Sequence, residues 1–323
     1  MKFLSWVDPK VEVLMQEKEK NFISAVIYVH NCAGEIRQFF ETVEQTIDDH
    51  FEHGEIICVD DASTDESVQI IREAASGYPQ ISTTILHLDS FHGIEAAMQG
   101  GVGLSIGDFV FEFDHPYATA SGDDFMKVCQ TSLEGADIAA AVSSDNRRAS
   151  SGLFYKIFNR FADISYPIGS ECFRILSRRA INRTYSQSNV IAYRKVAYAT
   201  SGLKALTVNI GHGPKLKVSK EGSRARRALA TDSLLLFTNV GFNISLILTC
   251  IMMGVLIVFA IYALITRILN LPVEGWTSMV LLVAFGFFGI FMILTLITKY
   301  LQLLVRMGVR KKAFTYESIE KIN

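Results

Sequence analysis

The stretch VDDASTDES at residues 59–67 decides the fold of this chain. It continues a short apolar run, EIICV at residues 55–59, which has the composition of a buried β-strand. Two carboxylates, Asp60 and Asp61, leave this strand side by side, and Asp65 follows where it can cap a helix. The stretch therefore predicts a strand, an acidic turn and a helix in succession.

The same alternation continues on both sides of this stretch. Strand-like apolar runs occur at residues 23–29, 83–88, 108–113 and 137–142. Apolar residues at helical spacing occur between them, at residues 36–47, 94–105 and 123–133. Strands that alternate with helices predict an α/β fold with a mainly parallel sheet and helices on both of its faces.

The ends of the predicted strands carry polar residues that suit ligand binding. Ligands of open parallel sheets bind at the carboxyl ends of the strands. That rule selects His30 with Asn31, Asp60 with Asp61, and Asp114. Adjacent acids such as Asp60 and Asp61 can accept hydrogen bonds from ribose hydroxyls or a base edge, although a solvated turn also uses aspartate. Asp114 is suited to hold a divalent cation, whereas His115 is a weaker ligand for Mg²⁺.

Composition excludes several classes of protein. The 323 residues are 50% hydrophobic and 20% charged, with a formal net charge of −2, which excludes a disordered chain and argues against a nucleic-acid-coating protein. The five cysteines form no C-x-x-C pair, so we expect neither a disulfide framework nor a structural zinc site, and a reducing setting fits. Residues 1–20 are too charged for a signal peptide, so the chain is expected to begin in the cytosol.

The apolar residues are concentrated near the C-terminus. Between Ser233 and Thr298 only Arg267 and Glu274 are charged. Two uncharged runs, at residues 244–265 and 279–297, approach the length of about 20 residues that crosses a bilayer as a helix. They predict two transmembrane helices joined by a short turn, and a buried helical hairpin of a soluble protein is the alternative.

Basic residues flank the apolar region on both sides. Those on the near side are Lys215, Lys217, Lys220, Arg224, Arg226 and Arg227, and those on the far side are Lys299, Arg306, Arg310, Lys311 and Lys312. Because cytoplasmic flanks are enriched in Lys and Arg, both ends are expected in the cytoplasm of a multi-pass inner-membrane protein. The predicted organisation is a soluble domain at 1–214, a basic interfacial helix at 215–232, a transmembrane hairpin at 233–305 and a cytosolic tail at 306–323.

Together these features resemble family 2 glycosyltransferases, in particular the membrane-anchored group typified by dolichol-phosphate mannosyltransferase and bacterial polyprenyl-phosphate glycosyltransferases. The motifs that carry the resemblance are SAVIYVHN (24–31), EIICVDDASTDES (55–67), HGIEAAMQGG (92–101), GDFVFEFD (107–114) and FRILSRRA (173–180). Ser219 and Lys220 then precede the interfacial stretch, and the apolar runs flank a V-x-GWTS turn. The resemblance extends from about residue 23 to beyond residue 300.

The resemblance implies a GT-A fold and an inverting glycosyltransferase, a hexosyltransferase, that uses a nucleotide-diphosphate sugar and Mg²⁺ or Mn²⁺. Nucleotide-sugar binding would fall on Asp60 and Asp61, with His30 at the neighbouring strand end. Asp114 matches the first acid of the family's D-x-D metal motif and would be catalytic. Arg174 matches the arginine of the family's G-D-F-R segment and would be the second catalytic residue.

The resemblance also implies an acceptor, polyprenyl phosphate in the membrane, as in surface-polysaccharide assembly. Its phosphate would lie near Arg147, Arg148 and Lys220, although ordinary solvated or topology-setting charges are the alternative role for all three. Relatives of this kind can assemble through their membrane hairpins, so a homo-oligomer is left open. No nucleic acid is expected as a partner.

Two positions depart from the family pattern. Pro116 stands where the second acid of D-x-D is expected, and Cys172 stands where the acid of G-D-F-R is expected. A phosphate acceptor is already largely anionic at neutral pH, so loss of a general base would matter less than for a hydroxyl acceptor. The alternative to an enzyme is an inactive relative that acts as a sugar-nucleotide-binding regulator or a membrane scaffold.

Overall fold

The computed structural model describes residues 18–143, 155–160, 162, 164–187, 193–211, 213, 240–269, 275–309 and 314–323. The predicted acceptor residues Arg147, Arg148 and Lys220 lie outside the described residues, as does the predicted interfacial helix at 215–232. The nucleotide-binding and metal-binding predictions lie within them.

The N-terminal half builds a parallel sheet around one central strand. Its strands are β1 (Ile23–Val29), β2 (Gly54–Asp60), β3 (Ser82–Leu88) and β4 (Phe109–Phe113). β1 pairs in parallel with β2 on one side and with β4 on the other, and β2 pairs with β3. All of β1 is buried, because helices cover both faces of the sheet. The predicted strand positions are confirmed, and the carboxyl ends of β1, β2 and β4 meet at one edge.

Four helices cover the two faces of this sheet. They are α1 (Ala33–His50), α2 (Ser67–Ala75), α3 (Ile94–Leu104) and α4 (Gly122–Leu133). On one face, Phe125 of α4 lies against Phe113 of β4, with ring centroids 4.9 Å apart. On the other face, a Cβ at Gly101 of α3 would come within 2.5 Å of Val26 and Val59. A glycine at residue 101 thus allows α3 to approach β1 and β2 closely.

An antiparallel half extends the sheet beyond β4. It contains β5 (Ile138–Val142), β6 (Glu171–Ser177) and β7 (Ala205–Asn209), with the helices α5 (Arg178–Gln187) and α6 (Arg194–Ala199). β6 lies between β4 and β5 and runs antiparallel to both, whereas β7 pairs in parallel with β5. The sequence did not predict β6, because Arg174 interrupts its apolar run. The predicted α/β fold with a mostly parallel central sheet is confirmed.

The C-terminal residues complete the sheet at its opposite edge. β8 (Tyr316–Lys321) pairs antiparallel with β3, which gives the strand order β7-β5-β6-β4-β1-β2-β3-β8. Arg72 donates hydrogen bonds of 2.9 and 2.8 Å to Glu320 and so ties α2 to β8. The predicted tail at 306–323 thus contains a strand that pairs with the sheet of the predicted domain at 1–214. This edge strand is mostly exposed, so its sequence lacks the apolar run that identifies buried strands.

Two apolar helices connect β7 to β8. They are α7 (Val240–Ile268) and α8 (Trp276–Val309), which contact each other where Met252 lies against Gly289. Among the described residues, one stretch, Leu282–Leu301 of α8, is long and apolar enough to cross a membrane, with a mean hydropathy of 2.1. In α7 the apolar stretch is shorter, at Ser245–Phe259. The structure thus supports the second predicted span and leaves the two-helix hairpin unconfirmed.

One acid is buried in α1 away from the strand ends. The side chain of Glu44 is fully buried, and neither carboxylate oxygen has a hydrogen-bond partner within the part of the chain that the structure describes. Burial, with a smaller contribution from Glu41, raises the pKa of Glu44 from 4.5 to about 8. The folded chain therefore keeps a proton that the unfolded chain releases near its ordinary pKa, and stability falls as the pH rises through this range.

We expect Glu44→Met to raise the free energy of unfolding by about 1–3 kcal/mol at pH 8 and by less at pH 5, because it removes an unsatisfied buried carboxyl. Urea titration of the detergent-solubilised protein at both pH values measures the difference. Gln45→Met, at an exposed position of the same helix, is the control and should leave the unfolding midpoint unchanged. An equal gain at both pH values would contradict the role of the proton.

Candidate active site

Residues 59–67 tie together the two loops that follow β1 and β2. The Asp65 carboxylate accepts hydrogen bonds of 3.0 Å from the backbone N–H of Ala33 and of Ser67, the first residues of α1 and α2. The backbone N–H of Thr64 donates to Asn31 Oδ1 at 2.8 Å. Charged acceptors at helix N-termini are stabilising, so the predicted capping role of Asp65 is confirmed and extends to both helices.

Asp60 lies at the end of β2 with a small part of its carboxylate accessible. Its side chain is 10% exposed. Asp60 Oδ1 accepts a hydrogen bond of 2.9 Å from the backbone N–H of Ser63, and Oδ2 lies 3.1 Å from His87 Nδ1. His87 Nε2 lies 3.1 Å from Glu320 Oε2, so β8 supports the orientation of Asp60 through His87. The carboxylate is therefore held in place while it retains capacity to accept a further hydrogen bond from a ligand.

Asp61 has a different environment from the one predicted. Its side chain is fully buried, and its carboxylate accepts hydrogen bonds from Tyr28 Oη at 2.8 Å and from the backbone N–H groups of His92 and Gly93 at 2.7 and 2.8 Å. Gly93 has a φ of 85°, a conformation that glycine adopts readily. Asp61 therefore fixes the loop between β3 and α3 and is not presented to a ligand in this structure.

His30 lies at the end of β1, beside Asp61. Its Nδ1 is 2.7 Å from the carbonyl oxygen of Asp61, so Nδ1 carries the proton and donates this hydrogen bond. The imidazole contacts the ring of Phe91 with centroids 4.8 Å apart, and Phe91 is 57% exposed. An exposed aromatic pair at the ligand edge of the sheet can stack against a planar base.

Asp114 follows β4 and is held by two arginines. Its Oδ1 accepts a hydrogen bond of 2.7 Å from Arg194 Nη2, and its Oδ2 accepts one of 3.2 Å from Arg174 Nη2. The two arginine side chains are only 1% and 2% exposed. Burial would raise the pKa of Asp114, but the charges of Arg194 and Arg174 outweigh it and hold that pKa well below its ordinary value. Asp114 is therefore a carboxylate at any physiological pH.

Three further acids form ion pairs with the same two arginines. Glu112 of β4 lies 2.6 Å from Arg174 and 2.9 Å from Arg194, and it accepts a hydrogen bond of 2.7 Å from Tyr198. Two further acids complete the set, Glu171 at 3.0 Å from Arg174 and Glu95 at 3.1 Å from Arg194. We call these six side chains, Glu95, Glu112, Asp114, Glu171, Arg174 and Arg194, the ion network. It joins β4, β6, α3 and α6.

The structure brings the predicted residues Asp60, Asp114 and His30 to one edge of the sheet. Val29 pairs with Asp60, and His30 follows Val29 in the chain. Ile27 pairs with Phe113, and Asp114 follows Phe113. His30, Asp60 and Asp114 therefore lie at nearly the same position along the direction of the strands. β2 and β4 lie on either side of β1, which separates their ends by about 10 Å. Arg174 reaches this edge from β6 and contacts Asp114.

Several residues of the site were not predicted. They are Glu95, Glu112, His87, Arg194 and Glu320. Glu112 carried a usable signal, since a carboxylate inside the buried strand FVFEF requires a cationic partner. Arg194 and Glu320 carried none, because their partners are remote in sequence.

The residues around Asp114 do not fit a divalent metal ion. Both oxygens of Asp114 accept hydrogen bonds from guanidinium groups, and the position two residues on is Pro116, which offers no side-chain ligand. Among the described residues, no group of three or more His, Cys, Asp or Glu side chains is arranged to hold a metal ion. The predicted metal site at Asp114 is thus occupied by cationic side chains.

Comparison with known proteins identifies the class of this domain. Residues 24–115, from β1 to just beyond β4, match the profile of the family described as Glycosyl transferase family 2. The chain is 19% identical over 267 residues to "Uncharacterized glycosyltransferase YkcC" of Bacillus subtilis (strain 168), covering 80% of this chain and 82% of that protein. It is 20% identical over 261 residues to the undecaprenyl-phosphate 4-deoxy-4-formamido-L-arabinose transferase of Aeromonas hydrophila, covering 79% of each.

A solved structure is also similar, a mannosyltransferase from Pyrobaculum calidifontis described in complex with GDP-Man and Mn²⁺. The TM-score is 0.48 at 17% identity, and the match covers 67% of this chain and 63% of that one, less than two thirds of its length. The match to glycosyltransferase family 2 spans residues 24–115, and the predicted enzyme class, a glycosyltransferase, is confirmed.

We expect Arg174→Met to lower the free energy of unfolding by about 3–5 kcal/mol, because it leaves buried carboxylates without their partner. Chemical unfolding followed by circular dichroism measures this loss. Arg179→Met is the matched control, since Arg179 pairs with Asp137 while its own side chain is 71% exposed, and it should leave the midpoint unchanged. If the two variants lose the same stability, the ion network does not hold the sheet together.

Proposed function

We propose that this chain transfers a sugar, with inversion, from a nucleotide-diphosphate sugar to a polyprenyl phosphate at the cytoplasmic face of a membrane. The observation that carries the proposal is the return of β8 to the catalytic sheet after two apolar helices. That return attaches the helices to the domain at both ends, which supports a site beside the membrane. The similarity to an undecaprenyl-phosphate sugar transferase supports the choice of acceptor.

The donor nucleoside would bind at the ends of β1 and β2. Asp60 would accept hydrogen bonds from a base edge or ribose hydroxyls, since its carboxyl group is partly accessible. His30 and Phe91 would contact the base, because they form an aromatic pair at the same edge. Asp61 would act indirectly, by holding the backbone of His92 and Gly93 in place.

The ion network would set the electrostatics at the donor's diphosphate. Charge builds on the leaving phosphate during transfer, and Arg174 and Arg194 would reduce the repulsion that this charge meets, because they offset two of the four acids of the ion network. Arg174 would act as a positioning residue that fixes Asp114, and no step is assigned to a metal ion. The acceptor needs no strong base, because a phosphate monoester with a second pKa near 6 is already largely anionic at neutral pH. Arg147, Arg148 and Lys220 are proposed to bind that phosphate.

Chain closure supports a hairpin that crosses the membrane twice. β3 and β8 pair in one sheet, so the chain between them must end on the side of the membrane where it began. If α8 crosses the bilayer, α7 must cross it in the opposite direction. The helices also expose large apolar side chains, for example Val258 at 65% and Phe291 at 62%, which lipid would cover. The basic flanks orient both ends toward the cytoplasm.

A non-enzymatic role is the second candidate. Pro116 removes the second acid of D-x-D, and the two arginines hold Asp114 in a closed ion network. A relative with these changes could bind a sugar nucleotide and report its presence without turnover. The two candidates differ in one observable, the release of nucleoside diphosphate that depends on lipid.

We expect the detergent-solubilised protein, given a panel of UDP- and GDP-sugars with undecaprenyl phosphate, to release nucleoside diphosphate only when both substrates are present. Asp60→Asn should raise the donor KM about tenfold, since hydrogen bonds to charged groups contribute about 1.5–3 kcal/mol. Asp108 precedes the first residue of β4, at the end of that strand opposite Asp114. Asp108→Asn is therefore the control and should leave KM unchanged. Nucleotide binding without release for any donor would favour the regulatory role.

The topology has its own test. In a variant that lacks Cys32 and Cys250, the cysteines that are not buried, we expect Val273→Cys to react with an impermeant maleimide in intact cells. Glu317→Cys in β8 should react only after the membrane is permeabilised, because β8 belongs to the cytoplasmic sheet. Labelling of both positions under the same condition would exclude a hairpin that spans the membrane.

A further inference from the structure

The position next to Asp114 is already filled by positive charge. Arg194 Nη2 lies 2.7 Å from Asp114 Oδ1, which is a short, charge-assisted hydrogen bond. Arg194 Nε and its backbone N–H both donate to Glu95 Oε2, at 3.1 and 2.9 Å. The guanidinium is therefore fixed from two sides, and it points at the carboxylate that a D-x-D motif would offer to a cation.

A metal ion would have to displace this arrangement to bind Asp114. The side chain of Arg194 is 1% exposed and that of Glu112 is fully buried, so breaking their ion pairs would leave charges uncompensated. Removal of one partner from a buried ion pair is strongly destabilising, because it leaves an uncompensated buried charge. Mg²⁺ typically gains its affinity from one or two carboxylates together with the substrate phosphates, and here the second carboxylate is replaced by Pro116.

The remaining acids of the ion network cannot substitute for the missing ligand. Glu112 accepts hydrogen bonds or ion pairs from Arg174, Arg194 and Tyr198, and Glu171 accepts from Arg174. Both oxygens of Glu112 and one oxygen of Glu171 thus already face a cationic or hydroxyl donor of the protein. Arg174 and Arg194 offset two of the four acids of the ion network, and Lys195 lies 3.9 Å from Glu171.

We propose that Arg194 takes the place of the divalent cation at Asp114, so that this chain binds its nucleotide diphosphate without a metal ion. The inference rests on the proposed donor site and deepens it: the donor is recognised by side chains alone. This mode of donor binding would differ from that of enzymes in which a metal ion bridges the protein and the diphosphate.

The first experiment measures binding of UDP and GDP to the full-length wild-type protein by calorimetry, in EDTA and then in Mg²⁺ or Mn²⁺. The expected result for the nucleotide that binds is a dissociation constant that differs by less than about threefold between the conditions. A gain of about tenfold or more with either metal would overturn the inference.

The second experiment needs no nucleotide and follows Mn²⁺ alone by electron paramagnetic resonance. Wild type and Arg194→Lys, which keeps the positive charge, should bind no Mn²⁺ at Asp114. Arg194→Met frees one Asp114 oxygen and should gain Mn²⁺ binding at least about tenfold tighter than wild type, a gain that Asp114→Asn abolishes. Arg179→Met, an exposed arginine elsewhere on the domain, should behave as wild type.

The outcomes separate this inference from the proposed function. Mn²⁺ binding by wild type that is lost in Asp114→Asn overturns the inference, and so does a folded Arg194→Met with no gain over wild type. Circular dichroism shows whether that variant is folded. If Arg194→Met does not fold, the wild-type and Arg194→Lys titrations still decide the matter. If no nucleotide binds and the wild-type protein binds no Mn²⁺, the proposed donor site is wrong, but the conclusion that Arg194 replaces the cation at Asp114 is still supported.

Discussion

The ion network is the interaction on which the site depends. Arg174 and Arg194 come from β6 and α6, and their carboxylate partners come from α3, from β4 and the residue after it, and from β6. Every one of these pairs lies in the interior, where an unpaired charge is costly. The parallel half of the sheet therefore cannot separate from the antiparallel half without exposing uncompensated charge. The ion pairs therefore hold Asp114 in place and limit the ligands that it can bind.

The second constraint is the pairing of the C-terminal strand β8 with β3. The C-terminal strand adds an edge to the sheet and brings Glu320 to His87, which in turn contacts Asp60. The segment that follows the apolar helices thus supports the residue best placed to recognise a nucleoside. In the proposed function, β8 would therefore link the membrane helices to the donor site through Glu320 and His87.

These two constraints explain why changes in the D-x-D and G-D-F-R patterns can be accommodated. A phosphate acceptor brings its own negative charge and requires no strong general base, so Cys172 at the position of an acid removes little. Pro116 removes a metal ligand, while Arg194 supplies a charge at the same place from a different element. In the proposed function, the chemistry of the acceptor and the pairing of Arg194 with Asp114 would together compensate for the two substitutions in the motifs.

Sequence alone determined β1 to β5, the helices between β1 and β5, and the ligand edge of the sheet, because these features depend on local apolar periodicity and on acids that follow a strand. It also determined where the apolar helices lie. Only the tertiary structure decided that β6 and β8 join the sheet, that Asp61 faces inward, and that Arg194 meets Asp114. The physical reason is the same in each case. These features arise from pairings between segments far apart in the chain, and such a pairing leaves no periodic pattern in either segment.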